Sequence, residues 1–182
     1  ATEIYHEGLR IPPVKLVERG VLREDLMRMV CENTRKPEDL RGDIMAQLSS
    51  VDIGAERLQT LFDAYGVELI ERCAEAILKA GEIAMRAQIG RWTSGVYEGE
   101  SCLDDDGRGH EEITARARVT VANGEAEVDL SASDDQLPSI VNSSYANTCA
   151  CVNVAFMYLS EDKILNEGST RPIRIVTRKG SI

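Results

Sequence analysis

The sequence predicts an α+β fold: a helical bundle or hairpin, followed by an antiparallel β region that contains one buried helix. Three observations carry this. Leu40, Ile44, Leu48, Val51, Ala55, Leu58 and Phe62 step by four and three, which lines one face of a helix through about six turns. From Gly95 onward, and again over 113–121, apolar and polar residues alternate with the period of a strand. Residues 143–159 are apolar nearly all round and long enough for a helix that crosses a core.

Residues 1–20 read as an extended arm, because Pro12-Pro13 biases Ile11 and Pro12 away from helix. A helical subdomain is expected over 21–91. Its first helix runs from Arg23 to about Thr34 with a modest apolar stripe at Leu26, Met29 and Val30. Pro37 opens the second helix at a position where its missing N–H costs nothing, and Gly66 closes it. The third follows with Val67, Ile70, Ala74, Ile77, Gly81 and Met85 on one face, and the second and third are expected to pair antiparallel. Gly81 on that stripe costs about 1 kcal/mol of helix propensity and would let another backbone come close.

The β-rich subdomain is expected over 92–182, with the boundary near 90–94. Asn123-Gly124 between Val119-Thr-Val-Ala122 and Glu125-Ala-Glu-Val-Asp-Leu130 is a strong two-residue hairpin signal, placing a hairpin over 113–131. After the apolar helix, Ile173-Arg-Ile-Val176 forms a last short strand. The chain starts without an initiator Met and stops straight after that strand, so it reads as an internal, C-terminally truncated piece of a longer subunit, inactive when isolated.

Composition narrows the function classes. With 31 acidic against 21 basic residues the formal charge is -10, which repels phosphate backbones and anionic lipid, and one Trp and two Phe leave no base-stacking platform. Nucleic acid and membrane are therefore not expected partners. Five scattered cysteines, an odd number, and no basic-then-apolar leader point to a reducing, cytoplasmic setting.

Few motifs suggest self-contained chemistry. Asp104-Asp105-Asp106-Gly107 resembles a cation loop, but with Gly107 as sixth position the first is Cys102 and the twelfth Ile113, so an EF-hand fails. A solvated acidic turn and a weaker oxygen-ligand site remain as readings. His6 and His110 are the only imidazoles, and Cys149-x-Cys151 lacks zinc-ligand spacing. His6 is either structural or a metal ligand. Arg171 could present a guanidinium to a substrate carboxylate or pair with a local acid, and Asn142 carries the same two readings. No nucleophile elbow, phosphate loop or dinucleotide fingerprint is present.

Four landmarks in order, Glu3-Ile-Tyr-His-Glu-Gly-Leu-Arg-Ile-Pro-Pro-Val-Lys-Leu16, Gly42-Asp43 with Gly54-Ala-Glu-Arg-Leu58, Asp104-Asp-Asp-Gly107, and Asn166-Glu-Gly-Ser-Thr-Arg-Pro-Ile173, resemble the hydantoinase B/oxoprolinase family almost end to end. The resemblance implies a part of the B-type subunit of an ATP-dependent cyclic amide hydrolase acting on a hydantoin or 5-oxoproline type of ring. An A-type partner subunit or domain would use ATP to phosphorylate the carbonyl oxygen, and water activated by a divalent metal, zinc or manganese, would complete the reaction. Most metal ligands would lie outside this chain, with His6 as its one tentative contribution and Asn142 and Arg171 as substrate-binding candidates. The alternatives implied are an acetone or acetophenone type of carboxylase subunit, or a non-catalytic scaffold in which the helices at 37–89 dock the A-type partner.

Overall fold

The computed structural model describes residue 6 and residues 8–161 and 165–181. It divides into two compact units, 1–70 and 71–182. The division falls inside the third helix, so the helical subdomain expected over 21–91 is shared between them.

In the first unit, residues 8–16 of the expected arm have no regular structure, its residues 17–20 instead enter a hairpin, and residues 1–5 and 7 lie outside the described residues. A small hairpin follows, β1 (Val17–Glu18) antiparallel to β2 (Val21–Leu22). Its turn residues Arg19 and Gly20 take φ of 52° and 79°, the left-handed pair that matches strand twist in a two-residue loop. Helix α1 (Glu24–Cys31) has Glu24 and Asp25 in its first turn, where acids suit the positive end of the helix. It buries Met27 and Cys31. Helix α2 (Pro37–Tyr65) starts at Pro37, and Gly66, at φ 78°, ends it by donating its N–H to the Phe62 carbonyl at 2.8 Å. Arg41 of α2 grips Glu24 of α1 through two bonds of 2.9 and 3.0 Å. No residue of α2 is buried: Val51 and Leu58 of its stripe are exposed, and Leu40, Ile44 and Phe62 only half-buried.

Helix α3 (Val67–Gly90) runs from the end of the first unit into the second. The second unit contains a four-stranded sheet in the order β3 (Gly95–Asp105), β4 (Glu111–Ala122), β5 (Glu125–Asp129), β6 (Ile173–Val176). The expected hairpin is present as β4–β5, with Asn123 and Gly124 at φ 53° and 74°. The sheet departs from the expected antiparallel pattern at one edge, where β6 pairs parallel to β5. A parallel neighbour needs a crossover of a dozen or more residues, and helix α4 (Tyr145–Leu159) supplies it. Ser144 caps α4, its Oγ accepting the Asn147 N–H at 3.3 Å.

Met85 and Ile89 of α3, Val121 of β4, Ala126 and Val128 of β5 and Phe156 of α4 form the core of this unit. Trp92 closes it, its ring 5.7 Å from that of Phe156. The apolar helix expected here is present as α4 and reaches the core through Phe156, its only buried residue, rather than being buried along its length. The opposite sheet face is charged: Arg116 and Arg118 reach Glu100 and Glu98, both at 3.7 Å, and Arg174 bonds Glu127 at 2.7 Å. No described helix is long and apolar enough to cross a membrane.

Candidate functional site

Period-two alternation puts Ala115, Ala117, Val119 and Val121 on the face of β4 that looks toward α4. Where α4 lifts away from the small alanines, an open groove of about 1240 Å³ is left between helix and sheet. Its walls are apolar, with Val152 and Ala155 opposite the alanines, and its mouth is polar, with Ser133, Gln136, Ser143 and Lys179. An apolar cleft with a few convergent polar groups is the usual form of a small-ligand site.

The loop between β5 and α4 builds the mouth. Past the end of β5, Ser133 and Asp134 continue the ladder with side chains. Ser133 Oγ accepts the Arg116 N–H at 3.0 Å and donates to the Arg116 carbonyl at 3.2 Å. Asp134 accepts the Thr114 N–H at 2.8 Å and the Arg116 guanidinium at 2.6 Å, which together hold its carboxyl below the usual range. Arg178, just beyond β6, fans out over the same loop. Its guanidinium donates to the Ser131 and Ser133 carbonyls at 3.0 and 2.8 Å and to Asp135 at 2.6 Å. Neither Ser133 nor Arg178 stood out in the sequence, because the bonds that matter span 17 and 45 residues.

Asn142 belongs to this loop. Its amide oxygen accepts the Leu137 N–H at 2.9 Å, and its amide nitrogen donates to the carbonyls of Leu137 at 2.7 Å and Ser139 at 3.0 Å. Asn142 therefore closes the 137–142 loop on itself, next to groove residues Val141 and Ser143. Arg171 sits elsewhere in this unit, against α3. Its guanidinium takes Glu75 in a two-pronged pair at 2.9 and 3.3 Å, the local-acid pairing weighed from the sequence, and lies 3.6 Å from Glu82. Glu82 is buried and also accepts Arg86 at 2.9 Å and Lys79 at 3.0 Å, which pull its carboxyl down to about 2. Asn142 and Arg171 share no hydrogen-bonding partner. His6 belongs to the first unit and is exposed.

The Asp104-Asp105-Asp106-Gly107 run forms the β3–β4 turn. Asp105 and Asp106 accept the N–H groups of Gly107 and Arg108 at 2.7 and 2.8 Å, so both carboxylates serve the turn itself. Among the described residues, no three His, Cys, Asp or Glu side chains converge where a metal ion could sit. The described residues do not make a metal centre by themselves.

All 182 residues match the hydantoinase B/oxoprolinase family. The chain is 35% identical over 176 residues to the caprolactamase subunit beta of Pseudomonas jessenii, covering 96% of this chain and 30% of that protein. It is 25% identical over 188 residues to the 5-oxoprolinase of Dictyostelium discoideum, covering 98% and 14%. The crystal structure of the ATP-dependent caprolactamase from Pseudomonas jessenii superimposes with a TM-score of 0.85 at 33% identity, over 96% of this chain and 30% of that one. A nucleotide-free acetone carboxylase shares the fold, with a TM-score of 0.77 at 14% identity over 93% and 24%. The chain thus spans about three tenths of the length of the caprolactamase subunit it matches. With the family matched from residue 1 to residue 182 and its fold reproduced in a relative of known structure, the chain belongs to the hydantoinase B/oxoprolinase family.

Proposed function

We propose that the chain is part of the B-type subunit of an ATP-dependent enzyme that opens a cyclic amide, with ATP consumed by an A-type partner subunit or domain. The observation that carries this reading is the caprolactamase: one relative combines the higher identity, the TM-score of 0.85 and near-complete coverage of this chain. The divalent metal that the family resemblance implies, zinc or manganese, takes its ligands chiefly from outside these 182 residues, and His6 is the chain's own contribution. Asn142 and Arg171 act on substrate through the segments they fix, since their amide and guanidinium groups are engaged within the chain.

The test is metal analysis of the full-length protein with its A-type partner, in wild type and His6→Ala. Loss of about one bound zinc or manganese per subunit in the variant is expected. An unchanged metal stoichiometry contradicts the role given to His6.

A second reading, the docking scaffold, draws on α2. Val51, Leu58, Leu61 and Tyr65 share one face of this helix and are all at least 43% exposed. An apolar surface of this extent marks a contact with other protein, and in this reading it receives the A-type partner. The carboxylase alternative has in its favour the fold shared with acetone carboxylase.

A further inference from the structure

The landmark that begins at Asn166 packs against the face of α3 that carries Gly81. The 3-10 turn Glu167–Thr170 follows the capping residue Asn166 and leads into β6. Asn166 Nδ2 donates to the Ile77 carbonyl at 2.9 Å, and the rest of its amide lies where a side chain at Gly81 would begin. A Cβ at position 81 would collide with Asn166 Oδ1, and would stand only 2.8 and 2.9 Å from Cγ and Nδ2. Gly168 is seated as tightly: a Cβ there would overlap the Leu78 carbonyl. Arg171 completes the attachment through Glu75.

The end of α3 and the residue after it meet the C-terminal end of α4. Gln88 Nε2 donates to the Leu159 carbonyl at 3.4 Å, and Arg91, just past α3, pairs with Glu161 at 3.2 Å. α4 is thus held against α3 through Phe156, which packs with Met85 and Ile89, and its length from Tyr145 to Leu159 borders the groove.

We propose that Gly81 and Asn166 form a keyed latch through which α3 positions both α4 and β6, and thereby sets the opening of the groove. The latch is made of geometry within this unit and is independent of the reaction proposed above. Gly81 is the keyhole, because a Cβ there would displace the Asn166 amide from its place against the helix. Asn166 is the key, because its amide fills the notch and gives the Ile77 carbonyl a second hydrogen bond.

Peptide-resolved hydrogen–deuterium exchange on the full-length protein tests the latch. Gly81→Ala is expected to speed exchange at least tenfold in 166–171 and also in 145–159, while Gly90→Ala, a site with open space on the same helix, leaves both unchanged. In an Asn166→Ala background the collision partner is gone, so adding Gly81→Ala is expected to produce no further increase. If Gly81→Ala does not fold, Asn166→Ala alone still decides, by loosening both segments. Faster exchange confined to 166–171, or a Gly81→Ala effect of the same size in both backgrounds, overturns the proposal.

Discussion

Asp106 sits at the tip of the β3–β4 hairpin with its side chain fully shielded from solvent. Burial alone would raise its carboxyl, but the N–H groups of Arg108 and His110 and the His110 ring, 2.7 Å away, outweigh it and hold the group down to about 2. An unfolded aspartate titrates near 3.8. The folded value is depressed, so the stabilisation is fully present above pH 3.8 and is lost as the pH falls through about 2. Amide protection at residues 107–110, followed by exchange, should therefore collapse across that window in wild type. In Asp106→Asn it should be weaker throughout and lack that acid step, and an identical acid profile would show that the carboxylate does not hold the turn. From sequence, a run of three aspartates left both a solvated turn and an oxygen-ligand site open. Which carboxylate turns inward depends on His110 reaching back four residues, a contact that composition does not encode.

At the scale of elements, local signals were readable and long-range geometry was not. Asn123-Gly124 specified its hairpin because both residues tolerate left-handed backbone. The structure adds a second constraint, since a Cβ at Gly124, at φ 74°, would lie 3.0 Å from the Arg86 carbonyl of α3. Gly124→Ala should cost about 1–3 kcal/mol in denaturant unfolding, and a change under a few tenths would contradict this packing. The direction of β6 could not be read, because Ile173-Arg-Ile-Val176 looks the same in a parallel or antiparallel place. Only the path of α4 decides it. The β1–β2 hairpin was missed because its strands are two residues long and its turn pairs an arginine with the glycine. The stripe on α2 predicted the helix, but that none of it is buried could not be read, since periodicity reports an apolar face and not what covers it.

At the scale of the molecule, the reading proposed above, one part of a larger assembly, draws on an exposed α2, an open groove and a chain that spans about 30% of the caprolactamase subunit it matches. The family could be recognised from four ordered landmarks, and the structure shows what two of them build. Asp104-Asp-Asp-Gly107 makes a turn, and the stretch from Asn166 fastens a loop to a helix. No catalytic group was readable in the same way, because no self-contained catalytic motif stands out in the sequence. The most direct test of the central claim is an assay of the full-length subunit with its A-type partner, using caprolactam, hydantoin and 5-oxoproline as substrates. ATP-dependent ring opening of at least one of them, with ADP released, is the predicted result. Bicarbonate-dependent consumption of a ketone, with no cyclic amide opened, would contradict it.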